Sequence, residues 1–181
     1  MKNLDALTRA QVSENNQQIF DTLKQKVGMV PNLYATAANS NVALGAILGL
    51  GENLGQGAFS GKEVEAIALA VSQVNDCEYC LAAHTAIGKM NGFSVDETVA
   101  LRTGEIADEK LRALTQLAIG LAENRGRADQ DLVDNFFDAG YSKAALVDLI
   151  GFVALNTFNN FLNNTAGTKV DFPAAPELAT A

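Results

Sequence analysis

The amino-acid sequence predicts a single all-helical domain, and three kinds of observation support this fold class. Apolar residues recur at steps of three and four, and the alternating pattern typical of strands is nearly absent. Three segments show the capping-box pattern of a helix start: Thr8-x-x-Gln11, Ser60-x-x-Glu63 and Ser94-x-x-Glu97. We therefore expect a helical domain over residues 1–166, followed by an extended tail over residues 167–181.

The composition agrees with one substantial hydrophobic core and argues against several kinds of partner. The chain has 181 residues, 48% of them hydrophobic, which is enough for a core without disulfides or structural metals. A formal net charge of −8 repels phosphate backbones and anionic lipids, so nucleic acid is not expected as a partner. We see neither a signal-like N-terminus nor a stretch near the roughly 20 apolar residues of a membrane span. We expect a cytoplasmic protein that does not enter a membrane.

In the first third of the chain, proline and glycine mark the expected ends of helices. Val30-Pro31-Asn32 predicts a break before a new helix, because proline in a first helical turn gives up no hydrogen bond. Five glycines then crowd one connection: Gly49, Gly51, Gly55, Gly57 and Gly61. Glycines that dense destabilise a helix, so we expect a loop or a frayed helix end there, bordering the entry to a site.

The second half of the chain predicts three further helices. A stripe of leucines over residues 109–124 follows Asp108, a suitable N-cap, and a shorter apolar face covers residues 129–139. Ser142 can cap the last helix, residues 144–164, which is apolar nearly all round. A helix of that kind is enclosed by neighbours or by another subunit. We expect it to be central in the fold or to form a subunit interface.

The two cysteines of the chain lie three positions apart and form the most informative motif. With only Cys77 and Cys80 there is no disulfide framework, so a disulfide between them would be a reactive pair. On a helix that begins near Cys77, both cysteines and His84 lie within about 60 degrees of one face. His84, the single histidine, could take the Cys80 proton directly or through one water and return it to a leaving oxygen.

The residues before the motif bear on which thiol is acidic and on proton transfer. Asn75-Asp76 predicts a break and a cap, which places Cys77 in a first turn where free N–H groups and the helix dipole favour a thiolate. Glu65 lies twelve residues earlier, on a helix predicted over residues 61–74, and reaches the thiols only across a helix–helix contact. From there it could relay protons to His84.

Simpler interpretations of these residues remain open. A lone cysteine on an apolar face is usually an inert core residue, and a lone glutamate on a helix usually faces solvent. The pair could be half of a zinc site completed by His84 and Glu65, or a switch that oxidises once. A decarboxylase-like lyase could use His84 and Glu65 as acid and base, and would survive replacement of Cys77 and Cys80 by serine.

The spacing of the four residues resembles the alkylhydroperoxidase D and carboxymuconolactone decarboxylase superfamily. Its peroxidase-type members carry Glu, eleven intervening residues, Cys-x-x-Cys, three more residues and His, as Glu65, Cys77, Cys80 and His84 do. Three weaker features resemble the peroxidase-related branch: Val30-Pro31-Asn32, Asn156 with Asn159 and Asn160, and the tail segment Lys169-Val170-Asp171-Phe172-Pro173. One departure is Tyr79, where some members have a second histidine between the cysteines.

The resemblance implies a helical bundle that forms homotrimers or homohexamers and reduces organic hydroperoxides without haem, flavin or metal. It implies that Cys80 attacks the peroxide, that Cys77 resolves the sulfenic acid as a disulfide, and that His84 and Glu65 move the protons. The helix dipole by itself favours Cys77 as the more acidic thiol. The implied reductant is a lipoyl-like or thioredoxin-like dithiol protein. Lactone decarboxylases of the superfamily generally work without the dithiol, so both cysteines argue against that reaction.

Overall fold

The elements of the computed structural model, which describes residues 4–178, are almost all helices, with no strand among those residues. A 3-10 turn at Arg9–Gln11 precedes nine α-helices: α1 Glu14–Val27, α2 Asn32–Ala37, α3 Asn41–Leu54, α4 Gly61–Val74, α5 Glu78–Met90, α6 Val95–Thr103, α7 Glu109–Glu123, α8 Gln130–Asp138 and α9 Lys143–Ala166. The all-helical prediction is confirmed, and α4 has the predicted bounds. The ends of the predicted domain and tail, residues 1–3 and 179–181, lie outside the described residues.

The predicted helix starts are set by local hydrogen bonds. Ser60 Oγ accepts from the Glu63 backbone N–H at 3.3 Å, and the Glu63 carboxylate accepts from the Ser60 N–H at 2.9 Å. Ser94, Asp108 and Ser142 cap α6, α7 and α9 through their side-chain oxygens. Each bond satisfies an N–H group that has no partner within the helix, which is why a few neighbouring residues suffice to fix these boundaries.

The centre of the fold is α4, which packs against α5, α6, α7 and α9. Eight consecutive residues of this helix, from Glu65 to Ser72, are buried, so neighbours enclose it on every side. Four of these residues have small hydrophobic side chains, which lets several helices approach closely: Ala66, Ala68, Ala70 and Val71. Any polar side chain on this stretch is therefore held inside the protein.

The last helix, α9, is only partly enclosed by its own chain, so of the two predicted alternatives the structure of one chain leaves the subunit interface as a prediction. It packs on α3, α4 and α7, but one stripe of apolar side chains remains exposed: Val147, Ile150, Phe158 and Phe161. Among the described helices it is also long and apolar enough, by length and composition, to cross a membrane. The expectation that no such stretch exists is wrong by this measure of length and composition. The residues that interrupt the apolar run are mostly asparagines, which add no charge. Asn156, Asn160 and Asn163 are buried against the rest of the domain.

The glycine-rich segment is more helical than predicted. Gly49 and Gly51 lie within α3, Gly55 and Gly57 lie in the connection, and Gly61 begins α4. The expected loop is therefore wrong for the first two glycines. The helix α3 packs against α9, where a Cβ on Gly51 would lie 3.5 Å from Leu155 Cδ2. Tertiary contact of this kind outweighs the low helix propensity of glycine.

The tail runs back over the domain. Residues 168–178 contain no helix or strand, and Gly167 ends α9 in the left-handed conformation with φ 63°. Arg102 Nη1 donates to the Pro176 carbonyl at 2.6 Å, and Asn32 Nδ2 donates to the Lys169 carbonyl at 2.9 Å. These contacts hold the described part of the tail against α6 and α2, near the cysteine motif.

Candidate active site

The site begins at the break between α4 and α5. Asn75 ends α4, and Asp76 has a positive φ of 48°, a conformation that aspartate tolerates better than most residues. Cys77 is then the N-cap of α5, one position before the first turn in which it was predicted to lie. Its Sγ accepts from the Cys80 backbone N–H at 3.2 Å, because the sulfur itself takes the capping role assigned to the preceding residues.

The two sulfur atoms lie at disulfide distance, with 5.3 Å between the Cα atoms of Cys77 and Cys80. Cys77 is 0% exposed and Cys80 is 3% exposed, so the pair is almost wholly covered by protein. The covering side chains come from three parts of the chain: Leu33 on α2, Tyr79 and Ala83 on α5, and Val170 and Phe172 on the tail. The structure therefore makes the pair a buried disulfide.

Glu65 and His84 meet across the contact between α4 and α5. Glu65 Oε2 lies 2.8 Å from His84 Nδ1, and their side chains are 11% and 23% exposed. When the carboxylate accepts from Nδ1–H, it fixes the histidine tautomer and leaves Nε2 as the basic nitrogen. No hydrogen bond among residues 4–178 joins His84 to either sulfur. The direct route predicted for the Cys80 proton therefore has no hydrogen bond behind it in this arrangement, and the route through one water stays a prediction.

A residue that the sequence analysis did not assign to the site contacts the disulfide from α9. Asn163 Nδ2 donates to Cys80 Sγ at 3.3 Å, and Asn163 is 3% exposed. One helical turn earlier, Asn160 Oδ1 accepts from Asn75 Nδ2 at 2.9 Å, which ties α9 to the break before Cys77. The signal that could have shown this is the spacing of Asn156, Asn160 and Asn163, a polar stripe of helical period on an apolar helix.

Tyr79, which stands between the cysteines, has a structural part in covering them. Its Oη accepts from the Leu33 backbone N–H at 3.2 Å, and its ring meets the Phe172 ring edge-on at 5.8 Å between centroids. Burial, with a smaller effect of the Asp171 carboxylate, raises the pKa of Tyr79 far above its usual value. Burial and the charge of Glu65 likewise raise the pKa of Tyr34. Both phenols stay protonated near neutral pH and do not provide a second base.

Access and metal binding can be judged from the surroundings of the pair. An open cavity of about 480 Å³ is lined by three side chains that adjoin the disulfide, Tyr79, Asn163 and Val170, while neither cysteine lines it. Among the described residues, no group of three or more His, Cys, Asp and Glu side chains is placed to hold a metal ion. The ligand geometry of residues 4–178 therefore gives no support to the zinc interpretation.

The fold and the site together define an all-helical protein with a buried Cys-x-x-Cys disulfide and a Glu–His pair. Residues 43–124 match the carboxymuconolactone decarboxylase family. The fold resembles the alkylhydroperoxidase core of a peroxidase-related protein from Ralstonia eutropha, with a TM-score of 0.83, 20% identity and 94% of each chain covered. The match to the carboxymuconolactone decarboxylase family therefore covers a little under half of the chain, and the fold of the whole domain is similar to that of alkylhydroperoxidase D-like proteins.

Two more solved structures share the fold at low sequence identity. A peroxidase-related protein from Silicibacter sp. has a TM-score of 0.78 and 22% identity, covering 93% of this chain and 92% of that one. The debrominase Bmp8 has a TM-score of 0.80 and 19% identity, covering 94% of this chain and 93% of that one. The chain has no significant match among curated protein sequences. These likenesses establish the fold, so the reaction must be argued from the site.

Proposed function

We propose that this protein is a thiol-dependent peroxidase that reduces organic hydroperoxides. The observation that carries the proposal is the Cys77–Cys80 pair at disulfide distance on the same helix as His84, which is itself hydrogen-bonded to Glu65 at 2.8 Å. A dithiol supplies two electrons, which is what cleavage of one O–O bond consumes. The Glu–His pair supplies the proton acceptor and donor that the same cleavage needs.

The reaction proceeds through a sulfenic acid on Cys80. The Cys80 thiolate attacks the distal oxygen of the hydroperoxide, an S–O bond forms, the O–O bond breaks, and the departing alkoxide takes a proton to become an alcohol. The Cys77 sulfur then attacks Cys80, an S–S bond forms, the S–O bond breaks, and the hydroxide leaves as water. His84 carries the protons through one bridging water, and Glu65 stabilises the imidazolium. An external dithiol protein of the lipoyl or thioredoxin kind reduces the disulfide by thiol–disulfide exchange.

The direct test is a thiol count on reduced protein. Reduced protein mixed with one equivalent of cumene hydroperoxide is expected to lose both thiols together and to form one equivalent of cumyl alcohol, because each O–O bond takes two electrons. Free thiols are counted with a chromogenic disulfide, and the alcohol by chromatography. The matched control is the disulfide form of the same protein, which should form no alcohol. Thiols that stay unchanged would remove the peroxidase proposal.

The near-complete burial of both sulfurs favours a second candidate, a redox switch that oxidises once. A switch consumes one equivalent of hydroperoxide and then stops, whereas a peroxidase supplied with a dithiol reductant turns over many times. Metal analysis of the purified protein tests the zinc variant of this candidate, which requires stoichiometric zinc. A lyase that uses His84 and Glu65 would keep its activity when Cys77 and Cys80 are both serine, which separates it from the other candidates.

The fold shared with a debrominase makes a halogenated arm of the assay worthwhile. Reductive removal of bromide from an aromatic ring also consumes two electrons, which the same dithiol could supply while it becomes a disulfide. Reduced protein is therefore incubated with 2,3,4-tribromopyrrole, and bromide release and thiol loss are measured together. Bromide released in equal amount to disulfide, with no reaction of the hydroperoxide, would move the proposal from peroxidase to dehalogenase.

We further propose that the exposed apolar stripe of α9 is covered by other copies of this chain, in a homotrimer or homohexamer. Phe161 is 58% exposed and Phe158 is 43% exposed on the same face of the helix, and apolar side chains grouped in this way mark a protein–protein interface. A second copy is the favoured occupant because the same apolar stripe on each copy can pair with itself or its neighbour.

The variant Phe161→Asp is expected to shift the assembly toward smaller species, since a carboxylate buried between subunits loses its hydration. Light scattering after size-exclusion chromatography measures the mass. The control is Met90→Asp on α5, where the native side chain is 85% exposed and lies off the α9 stripe. Equal masses for Phe161→Asp and the unmodified protein would show that this stripe is not the interface.

A further inference from the structure

The side chain of Asn163 is used differently from those of its neighbours on α9. Asn156 Nδ2 donates to the Phe152 carbonyl at 2.9 Å, and Asn160 bonds to the side chains of Ser72 and Asn75. Within residues 4–178, the single side-chain hydrogen bond of Asn163 is the one that Nδ2 donates to Cys80 Sγ at 3.3 Å. Its Oδ1 is buried and has no partner among those residues. This amide is therefore directed at the sulfur.

Burying an amide with one polar atom unpaired is unfavourable, so an apolar side chain at this position would make the fold more stable than asparagine does. The presence of asparagine therefore points to a functional use for its contact with the sulfur. A sulfur atom in a disulfide or a neutral thiol is a weak acceptor. A thiolate accepts the same N–H strongly, since hydrogen bonds to a charged group favour the charged form. The contact is worth most in the reduced, ionised state of Cys80.

We propose that Asn163 is a positioning residue that stabilises the Cys80 thiolate and so makes Cys80, rather than Cys77, the attacking sulfur. The proposal rests on the proposed function, whose order of attack it explains. Among residues 4–178, each sulfur accepts one N–H hydrogen bond: Cys77 Sγ accepts from the backbone of Cys80 at 3.2 Å, and Cys80 Sγ accepts from Asn163 Nδ2 at 3.3 Å. Burial opposes ionisation of both sulfurs about equally, because Cys77 is 0% exposed and Cys80 is 3% exposed. The helix dipole favours ionisation of Cys77, and the N–H that Asn163 donates from α9 is the contact that favours ionisation of Cys80 instead.

The other ionisable groups around Cys80 are the same in the native protein and in the variant that tests this proposal. They come from every element packed around it: Glu65 on α4, Cys77, Tyr79 and His84 at the start of and within α5, Tyr34 on α2, and Asp171 on the tail. The α9 side contributes amides at this level, from Asn160 and Asn163. Asn163→Leu leaves all of these ionisable groups in place and adds none, so a change in Cys80 ionisation in that variant reports the lost N–H donor.

The test measures the ionisation of each thiol without using a peroxide. Reduced protein is alkylated with iodoacetamide at a series of pH values, and peptide mass spectrometry gives the rate at each cysteine. We expect Cys80 to react before Cys77 near neutral pH. Asn163→Leu should move the Cys80 midpoint up by about one pH unit, because a hydrogen bond to a charged group is lost. Asn163→Asp, which keeps the shape and adds a negative charge, should move it further.

The matched control is Asn156→Leu, a buried asparagine of the same helix that contacts no sulfur, and it should leave the Cys80 midpoint unchanged. Circular dichroism identifies any variant that fails to fold. If Asn163→Leu fails to fold, Asn163→Ala, which also removes the N–H donor without adding a charge, takes its place. An unchanged Cys80 midpoint in a folded Asn163 variant overturns the proposal, even in an active peroxidase. A shifted midpoint in a protein that does not react with hydroperoxide supports the role of Asn163 and removes the peroxidase function instead.

Discussion

Cys80→Ser is expected to abolish hydroperoxide turnover and to leave Cys77 as the single thiol of the chain. Serine keeps the size of the side chain but has no thiolate, so the S–O bond cannot form. The measurement is alcohol formation from cumene hydroperoxide with a small-molecule dithiol as reductant. Cys80 lies in a tightly packed and nearly inaccessible position, but serine keeps the size of the side chain and should still allow the fold. Thermal unfolding checks this.

The matched variant Cys77→Ser keeps the proposed attacking sulfur, Cys80, and lacks the proposed resolving sulfur. Without added reductant it is expected to consume one hydroperoxide per chain and then stop as a Cys80 sulfenic acid, because no second thiol is present to form the disulfide. Dimedone labelling followed by mass spectrometry detects that acid. A dimedone adduct on Cys77 in the Cys80→Ser variant, with none in the reverse variant, would make Cys77 the attacking sulfur. That result would agree with the helix dipole and would contradict the role given to Asn163.

His84→Gln and Glu65→Gln are each expected to lower kcat/KM for the hydroperoxide by about 10²- to 10⁴-fold, the usual contribution of a positioned acid or base. His84→Gln removes the group that exchanges protons with Cys80 and the leaving oxygen. Glu65→Gln removes the carboxylate that lies 2.8 Å from His84 Nδ1 and holds the imidazole. Since the two side chains act as a unit, the double variant should lose little more than either single variant.

A neighbouring carboxylate provides the control for this pair. Glu63 lies on α4 as Glu65 does, with a side chain that is 14% exposed against 11% for Glu65, but it bonds to Ser60, Tyr141 and Lys110 instead of His84. Glu63→Gln should therefore lower the free energy of unfolding and leave kcat/KM near its original value. Losses that add in the double variant, or an equal loss in Glu63→Gln, would show that Glu65 does not act through His84.

Much of the fold follows from local sequence patterns. The start of α4 at Gly61 follows from the reciprocal bonds of Ser60 and Glu63, and the bounds of α7 and α8 lie within one residue of those predicted. The shared turn of Cys80 and His84 follows from their spacing once a helix is present. A helix start depends on hydrogen bonds between residues three or four positions apart, so the chain carries that information within a few neighbouring residues.

The remaining features depend on contacts between distant parts of the chain. Helical period places Glu65 on a face, but the approach of α4 to α5 puts it beside His84, and the packing of α9 brings Asn163 to a sulfur 83 residues away. The same applies to the helical course of the glycine-rich segment in α3 and to the exposed stripe of α9. The sequence by itself determined the helices and the spacing of the thiols and the imidazole. Only the tertiary structure decided which side chains surround the sulfurs, because the burial and hydrogen bonding of a side chain depend on helices that pack from elsewhere in the chain.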